Sequence, residues 1–301
     1  MMSFFVWPWH RRKSAPLPQP WVQKAAASAP AASQRRYLNH TDYLLPKDEE
    51  ELNRLNFQHY ALNLTLGNQY LAPLPPVVRT MVDVGCGTGI WPMEMARLFP
   101  ESLVLGLDVD DALFHQGPPA NCLLRVGNVL TGLPLPDQFA EFVHQRFLVL
   151  ALPDARWPEV VRELVRVTRV GGWLELVETD ARVQAGGAAT EQMMAWLDAL
   201  RQARGLQGQQ VLHLGELLQG EGLREVEAQA IALKVGAWGG RAGQMMEQDI
   251  LAAVQALKEP CCAQGVSAGE FEACVQAMAA EWKQAEAFCL IYAAYGKRVQ
   301  A

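Results

Sequence analysis

Three groups of residues in this sequence have the types and spacing to do chemistry. The first is "VDVGCGTGIW" at 82–91, an apolar run that ends in Gly85, Gly87 and Gly89 with Asp83 just before them. Glycines at alternate positions let the chain turn tightly and let a ligand approach backbone amides and carbonyls closely. The second is "LGLDVD", in which Asp108 closes the next apolar run. An acidic residue about 20 positions beyond such a glycine turn can accept from both hydroxyls of a ribose. The third comprises His144, Arg146, Glu178 and Asp180, charged or titratable groups at the ends of two later apolar runs. Of these, histidine has the unperturbed pKa best suited to moving a proton near neutrality.

The glycine spacing discriminates between ligands. A dinucleotide fingerprint, G-x-G-x-x-G, counted from Gly85 would place its third glycine at position 90, which is Ile90. A Walker loop would need G-K-[ST], and none follows. The pattern is G-x-G-x-G, and Pro92 fits the first turn of the helix that should come next.

These groups need elements to bring them together. The apolar patterning predicts strands at 81–85, 103–108, 123–127, 140–145 and 172–178, with helices at 91–99, 111–115 and 157–168. Repeated strand–helix units of this length make a parallel sheet with helices on both faces, and ligands bind beyond the carboxyl ends of its strands. Ahead of them, Asp48 to Glu51 open a helix that runs to Leu66 and stops at Gly67. Leu52, Leu55, His59, Leu62 and Leu66 follow one another at helical steps, so His59 falls on its apolar seam. Such a helix is placed to cover the site with His59 and Tyr60. Beyond Glu178, further helices at 191–204, 243–257 and 269–285 carry Met193, Met194, Trp196, Met245, Met246 and Phe271. This stripe reads first as core and second as the wall of an apolar substrate pocket.

Composition narrows the classes. The 301 residues are half hydrophobic, enough for a sizeable core, and the net charge of −6 argues against a nucleic-acid partner. The six cysteines form no CxxC pair, which favours reduced, packed thiols and a cytoplasmic protein. No apolar stretch reaches the ~18–20 residues of a membrane span. Residues 1–36 carry six Lys and Arg and no acid among many Pro, Ala and Ser. They read as a flexible basic arm, in which Trp7 and Trp9 suit a weak membrane or partner contact.

From about Tyr43 to Lys297 the chain resembles the class I S-adenosylmethionine-dependent methyltransferases. "VDVGCGTGIW" is similar to their first motif and "GLDVD" to their ribose motif. "GNVLTGLPLPDQFAEFVHQRF" resembles their third and fourth strand motifs, and "ELVRVTRVGGWLELVE" the helix and strand beyond. Within them, "LPKDEEELNRLNFQHY" with "GTGIW" is most similar to the group holding the regulator-type enzymes of fungal secondary metabolism. Two positions depart from the usual pattern: Asn128 stands where Asp is common, and Ala140-Glu141 where Phe-Asp is common. An amide can still accept from an adenine amino group and donate to a ring nitrogen.

The resemblance implies a Rossmann-like α/β sheet of about seven strands, mostly parallel with an antiparallel edge strand, and a helical cap. Its parts would be an arm over 1–42, a covering helix within 43–80, a cofactor-binding core over 81–180, and cap plus sheet completion over 181–301. The implied cofactor is S-adenosylmethionine, held by His59, Tyr60, Asp83, Gly85, Cys86, Gly87, Asp108, Val109, Asn128, Val129 and Gln145. Candidate catalytic groups are His144, Arg146 and Glu178, a base being required only for a protonated nucleophile. No metal is expected. "HQRF" lacks the Pro-Pro-aromatic motif of amino-methylating DNA enzymes. The acceptor expected is a small, apolar metabolite; the alternatives are a peptide or protein, or a cofactor-binding regulator without turnover.

Overall fold

The computed structural model describes residues 44–46 and 48–300, so the basic arm lies outside the described residues. Seven strands form one sheet: β1 (Thr80–Val84), β2 (Leu103–Asp108), β3 (Cys122–Val126), β4 (Ala140–Arg146), β5 (Thr168–Gln184), β6 (Arg224–Lys234) and β7 (Phe288–Lys297). Their order is β3-β2-β1-β4-β5-β7-β6. The first five run parallel, and the antiparallel pairing expected at the edge involves two strands, with β7 set between β5 and β6.

The central strands are apolar on both faces because both are covered. Met81, Val104 and Phe142 pack with Trp91 and Met95 of α2 (Ile90–Leu98) on one face. Val82, Val84 and Val143 pack with α3 (Trp157–Val167) and α5 (Leu214–Gly220) on the other. Helix α3 buries Trp157, Val160, Val161, Leu164 and Val167, the three-and-four spacing of a one-faced helix.

A third body of helices sits over the carboxyl end of the sheet. It comprises α1 (Glu49–Leu66), α4 (Ala188–Gln202), α6 (Gly240–Ala256), α7 (Lys258–Ala263) and α8 (Ala268–Glu281). Met193, Met194, Met246 and Phe271 are buried in its core, and Trp196 and Met245 pack against it. Helix α1 begins where Asp48 accepts from Glu51 N and ends at Gly67, which takes the left-handed conformation with φ 71°. No helix among the described residues is long and apolar enough to cross a membrane.

Two elements differ from expectation. Residues 111–115 form a turn, closed by Phe114 N to Asp111 O, and not a helix. Five residues barely complete one helical turn, and Pro118 and Pro119 follow too soon for growth. Strand β5 runs over 168–184 instead of 172–178. Its far end is held by β7, with Val183 opposite Cys289 and Gln184 opposite Phe288, past an irregularity between Thr179 and Val183. That pairing comes from residues a hundred positions away, so Thr179-Asp180 reads locally as a strand end.

Candidate active site

The glycine turn joins β1 to α2 with Gly85, Gly87 and Gly89 at φ 73°, 54° and 80°. Side chains are strained at such angles, and the three glycines face different neighbours. A Cβ at Gly85 would run into Leu148, and one at Gly89 would meet Leu124 at 2.6 Å. At Gly87, among the described residues, only Leu55 of α1 would lie within 4 Å, at 3.5 Å. Gly87 is therefore the glycine whose bareness leaves open space. Its amide donates to Asp108 Oδ2 at 2.9 Å, which fixes the carboxylate at the end of β2 beside the turn.

That space belongs to a cavity of about 350 Å³ at the carboxyl ends of the parallel strands. Asp83, Gly85, Cys86, Gly87, Asp108 and Val109 line it from β1, β2 and the turn. Asn128 and Val129 line it from beyond β3, and His144 and Arg146 from β4. In the other direction it extends between α4, α6 and the β5–β7 pair, where Met194, Leu197, Leu200, Met246, Ile250 and Ile291 form an apolar chamber.

The other expected residues are elsewhere. Gln145 is fully buried on the opposite side of β4 and donates to Glu178 Oε1 at 3.3 Å. Successive side chains of a strand alternate faces, so His144 and Arg146 cannot share a side with Gln145. Glu178 is also fully buried and accepts from Leu148 N at 3.0 Å and Val149 N at 3.1 Å. Burial outweighs these donors and pushes its pKa up to about 7. Its oxygens hold the loop after β4, and it is not among the residues lining the cavity.

His144 occupies a row across three adjacent strands, opposite Asp83 on β1 and Glu175 on β5. Its Nδ1 is 2.8 Å from Asp83 Oδ1, its Nε2 is 3.9 Å from Glu175 Oε1, and its ring stacks on Trp91 with centroids 4.0 Å apart. Glu175 accepts from Leu71 N and Ala72 N, and burial raises its pKa. A general base needs a lone pair turned toward its substrate. His144 is held on three sides and only 1% exposed, which suits a residue that positions Asp83 and the turn.

From α1, the cavity is lined by Arg54, Leu55 and Gln58 and not by His59 or Tyr60. Arg54 is bound to Glu51 at 2.6 Å and to Asp249 of α6 at 2.7 Å, and Gln58 donates to Asp249 at 2.9 Å. His59 is turned toward α2 and β4, with Nε2 3.0 Å from Glu94 Oε2 and Nδ1 3.0 Å from Arg146 Nη2. Sequence reasoning passed over Arg54 because a charged residue on a mixed helix reads as solvated. The Glu51–Arg54 spacing was the available signal.

The chemistry of this lining fits an adenosyl ligand: a bare turn after β1, a carboxylate at the end of β2 and an amide beyond β3. A family model described as a methyltransferase domain matches residues 81–172, the stretch that supplies all three. The chain is 29% identical over 204 residues to the secondary metabolism regulator LaeA of Aspergillus fumigatus, covering 65% of this chain and 54% of LaeA. It is 27% identical over 221 residues to the N-methyltransferase SirN of Leptosphaeria maculans, covering 71% of this chain and 78% of SirN. Residues 81–172 form a class I S-adenosylmethionine-dependent methyltransferase domain. Solved methyltransferases agree in fold. A protein described as a methyltransferase from an antibiotic biosynthesis pathway of Anabaena variabilis matches at TM-score 0.53, with 16% identity, over 83% of this chain and all of its own. A phosphoethanolamine N-methyltransferase of Haemonchus contortus, solved with S-adenosylhomocysteine, matches at TM-score 0.50 with 14% identity, over 81% of this chain and 53% of its own. The cofactor of this class I methyltransferase fold is S-adenosylmethionine. The chain spans about half the length of the LaeA regulators it matches.

Proposed function

We propose that the protein transfers a methyl group from S-adenosylmethionine to a small, apolar acceptor. The observation that carries this reading is the continuity of the cavity, from the glycine turn into the chamber of Met194, Leu197, Leu200, Met246, Ile250 and Ile291. When bound, the cofactor supplies a methyl group already activated on a sulfonium. In this reading Asp108 accepts from the ribose hydroxyls, Asn128 reads the adenine edge, and Gly87 lets the backbone come close. Val109 and Val129 supply apolar contacts beside them.

What the chain adds is orientation and dryness. The chamber's side chains come from separate elements packed on one another, so they can hold an apolar acceptor at near-attack distance and keep water away. No side chain is assigned as a base, because His144 and Glu178 are committed to chain partners and a guanidinium stays protonated.

Incubation with methyl-labelled cofactor and an extract of the protein's own source tests the reading. The expected product is a labelled compound extractable into organic solvent. Label found only in polypeptide would overturn it in favour of a protein acceptor; the LaeA of Emericella nidulans, 27% identical, bears the name protein-methionine methyltransferase. Formation of no labelled product would favour a cofactor-binding regulator.

A further inference from the structure

Among the described residues, four guanidinium groups line the cavity: Arg54, Arg146, Arg182 and Arg201. Three of them hold carboxylates. Arg54 is bound to Glu51 and Asp249, Arg182 to Asp198, and Arg201 to Asp198 at 2.6 Å. Arg146 has no carboxylate within 4.0 Å among the described residues, and its Nη2 donates to a neutral acceptor, His59 Nδ1, at 3.0 Å. With Nδ1 accepting, the ring proton sits on Nε2, which faces Glu94 Oε2 at 3.0 Å and the Asn63 side-chain amide at 2.9 Å. Burial lowers the pKa of His59, in keeping with a neutral ring. A chain thus runs from Glu94 on α2 through His59 on α1 to a guanidinium at the end of β4. That guanidinium faces the cavity with no carboxylate bonded to it, the charges of Asp83, Glu94, Glu175 and Glu178 reaching it only through space. A buried cation in this state is costly, and a ligand carboxylate would relieve it with paired, charge-assisted hydrogen bonds.

Sheet order indicates which carboxylate. Gln145 lies opposite Val84, so Arg146 stands beside Gly85 where the turn begins. An adenosine with its adenine at Asn128, beyond β3, and its ribose at Asp108 on β2 points its other end along the order β3-β2-β1-β4. That end, the methionyl group, would lie over β1 and β4. We propose that Arg146 receives the α-carboxylate of the cofactor's methionyl group, and that Glu94 and His59 position its guanidinium for this. The inference rests on the placement of the adenosine half at Asp108 and Asn128. An acidic acceptor could offer the same chemistry, so the test must separate the two sources.

Calorimetry with S-adenosylhomocysteine, its decarboxylated analogue and 5′-methylthioadenosine does so on the full chain, without turnover. Arg146→Gln is expected to weaken S-adenosylhomocysteine by about 10–100-fold, the range for hydrogen bonds to a charged group. The decarboxylated analogue should change by less than about 3-fold on the same scale. His59→Leu should show a smaller loss with the same selectivity, which a general loss of stability would not produce. If Arg146→Gln does not fold, Arg146→Lys is read in the same way, because a lysine keeps the charge and loses the paired geometry. Equal weakening of both ligands, or unchanged binding of S-adenosylhomocysteine, overturns the proposal. Unchanged cofactor binding with a raised KM for an acidic acceptor transfers the role to the acceptor and also overturns it. Binding of 5′-methylthioadenosine that ignores Asp108→Ala would instead sink the placement of the adenosine half.

Discussion

Burial and hydrogen bonding act in opposite directions on Glu178. Burial raises its pKa, the amides of Leu148 and Val149 and the side chain of Gln145 lower it, and burial prevails at about 7. The folded protein therefore holds this proton at pH values where the unfolded chain has released it. The resulting stability is present in full below the ordinary glutamate value and is lost as pH rises through about 7. Relative to Glu178→Gln, the wild type should lose ~3 kcal/mol between pH 4.5 and 8, read by denaturant unfolding at each pH. A difference that stays flat over this range would remove Glu178 as its source. Asp108 carries a simpler expectation: Asp108→Ala should weaken S-adenosylhomocysteine by ~1.5–3 kcal/mol in calorimetry, with melting little changed. At this scale, legibility followed locality. The placement of Asp108 and the glycines at the cavity could be read because it is set by a turn and a strand end adjacent in sequence. The commitments of His59 and Glu178 could not, because they depend on which face of which neighbour each meets.

Helix α1 joins the cap to the sheet through side chains that are mostly polar. It buries Glu51, Arg54, Asn56 and His59 along with Ala61 and Leu62. The extent of the helix followed from its caps and spacing, yet its covering face was misjudged by one step. Leucine spacing pointed to the His59 seam, whereas the Arg54–Asp249 pair turns Arg54, Leu55 and Gln58 toward the cavity. Periodicity weighs apolar residues, and here an ion pair decides the rotation. Arg54→Leu would strand two buried carboxylates and should cost ~3–5 kcal/mol in chemical unfolding. A cost below ~1 kcal/mol would mean that α1 is held by its apolar contacts alone. Since Leu55 lies next to Gly87, residues 48–66 should also exchange amide hydrogens more slowly once S-adenosylhomocysteine is added.

For the whole molecule, the sheet and the cap divide the cavity: the parallel half of the sheet bears the proposed cofactor site, and the cap closes a chamber against β5 and β7. Replacing Ile250 by Trp should fill that chamber. Methyl transfer would then fall at least ~10-fold, about 1.4 kcal/mol, while the affinity for S-adenosylhomocysteine stays within ~3-fold. Equal losses in both would mean that chamber and cofactor site are one space. The alternation of strands and helices announced the parallel half, since each unit is local. The place of β7 was not legible, because pairing between residues more than a hundred positions apart leaves no periodic trace. Its position has a bearing on time. Of the seven described strands, the last made is the one that fits between β5 and β6, so β5 must wait for its partner while about a hundred residues are synthesised, roughly 5–20 s at typical ribosome speeds. Throughout that interval the nascent chain carries a parallel half whose β5 edge still lacks its partner, the state in which chaperones would be expected to find it.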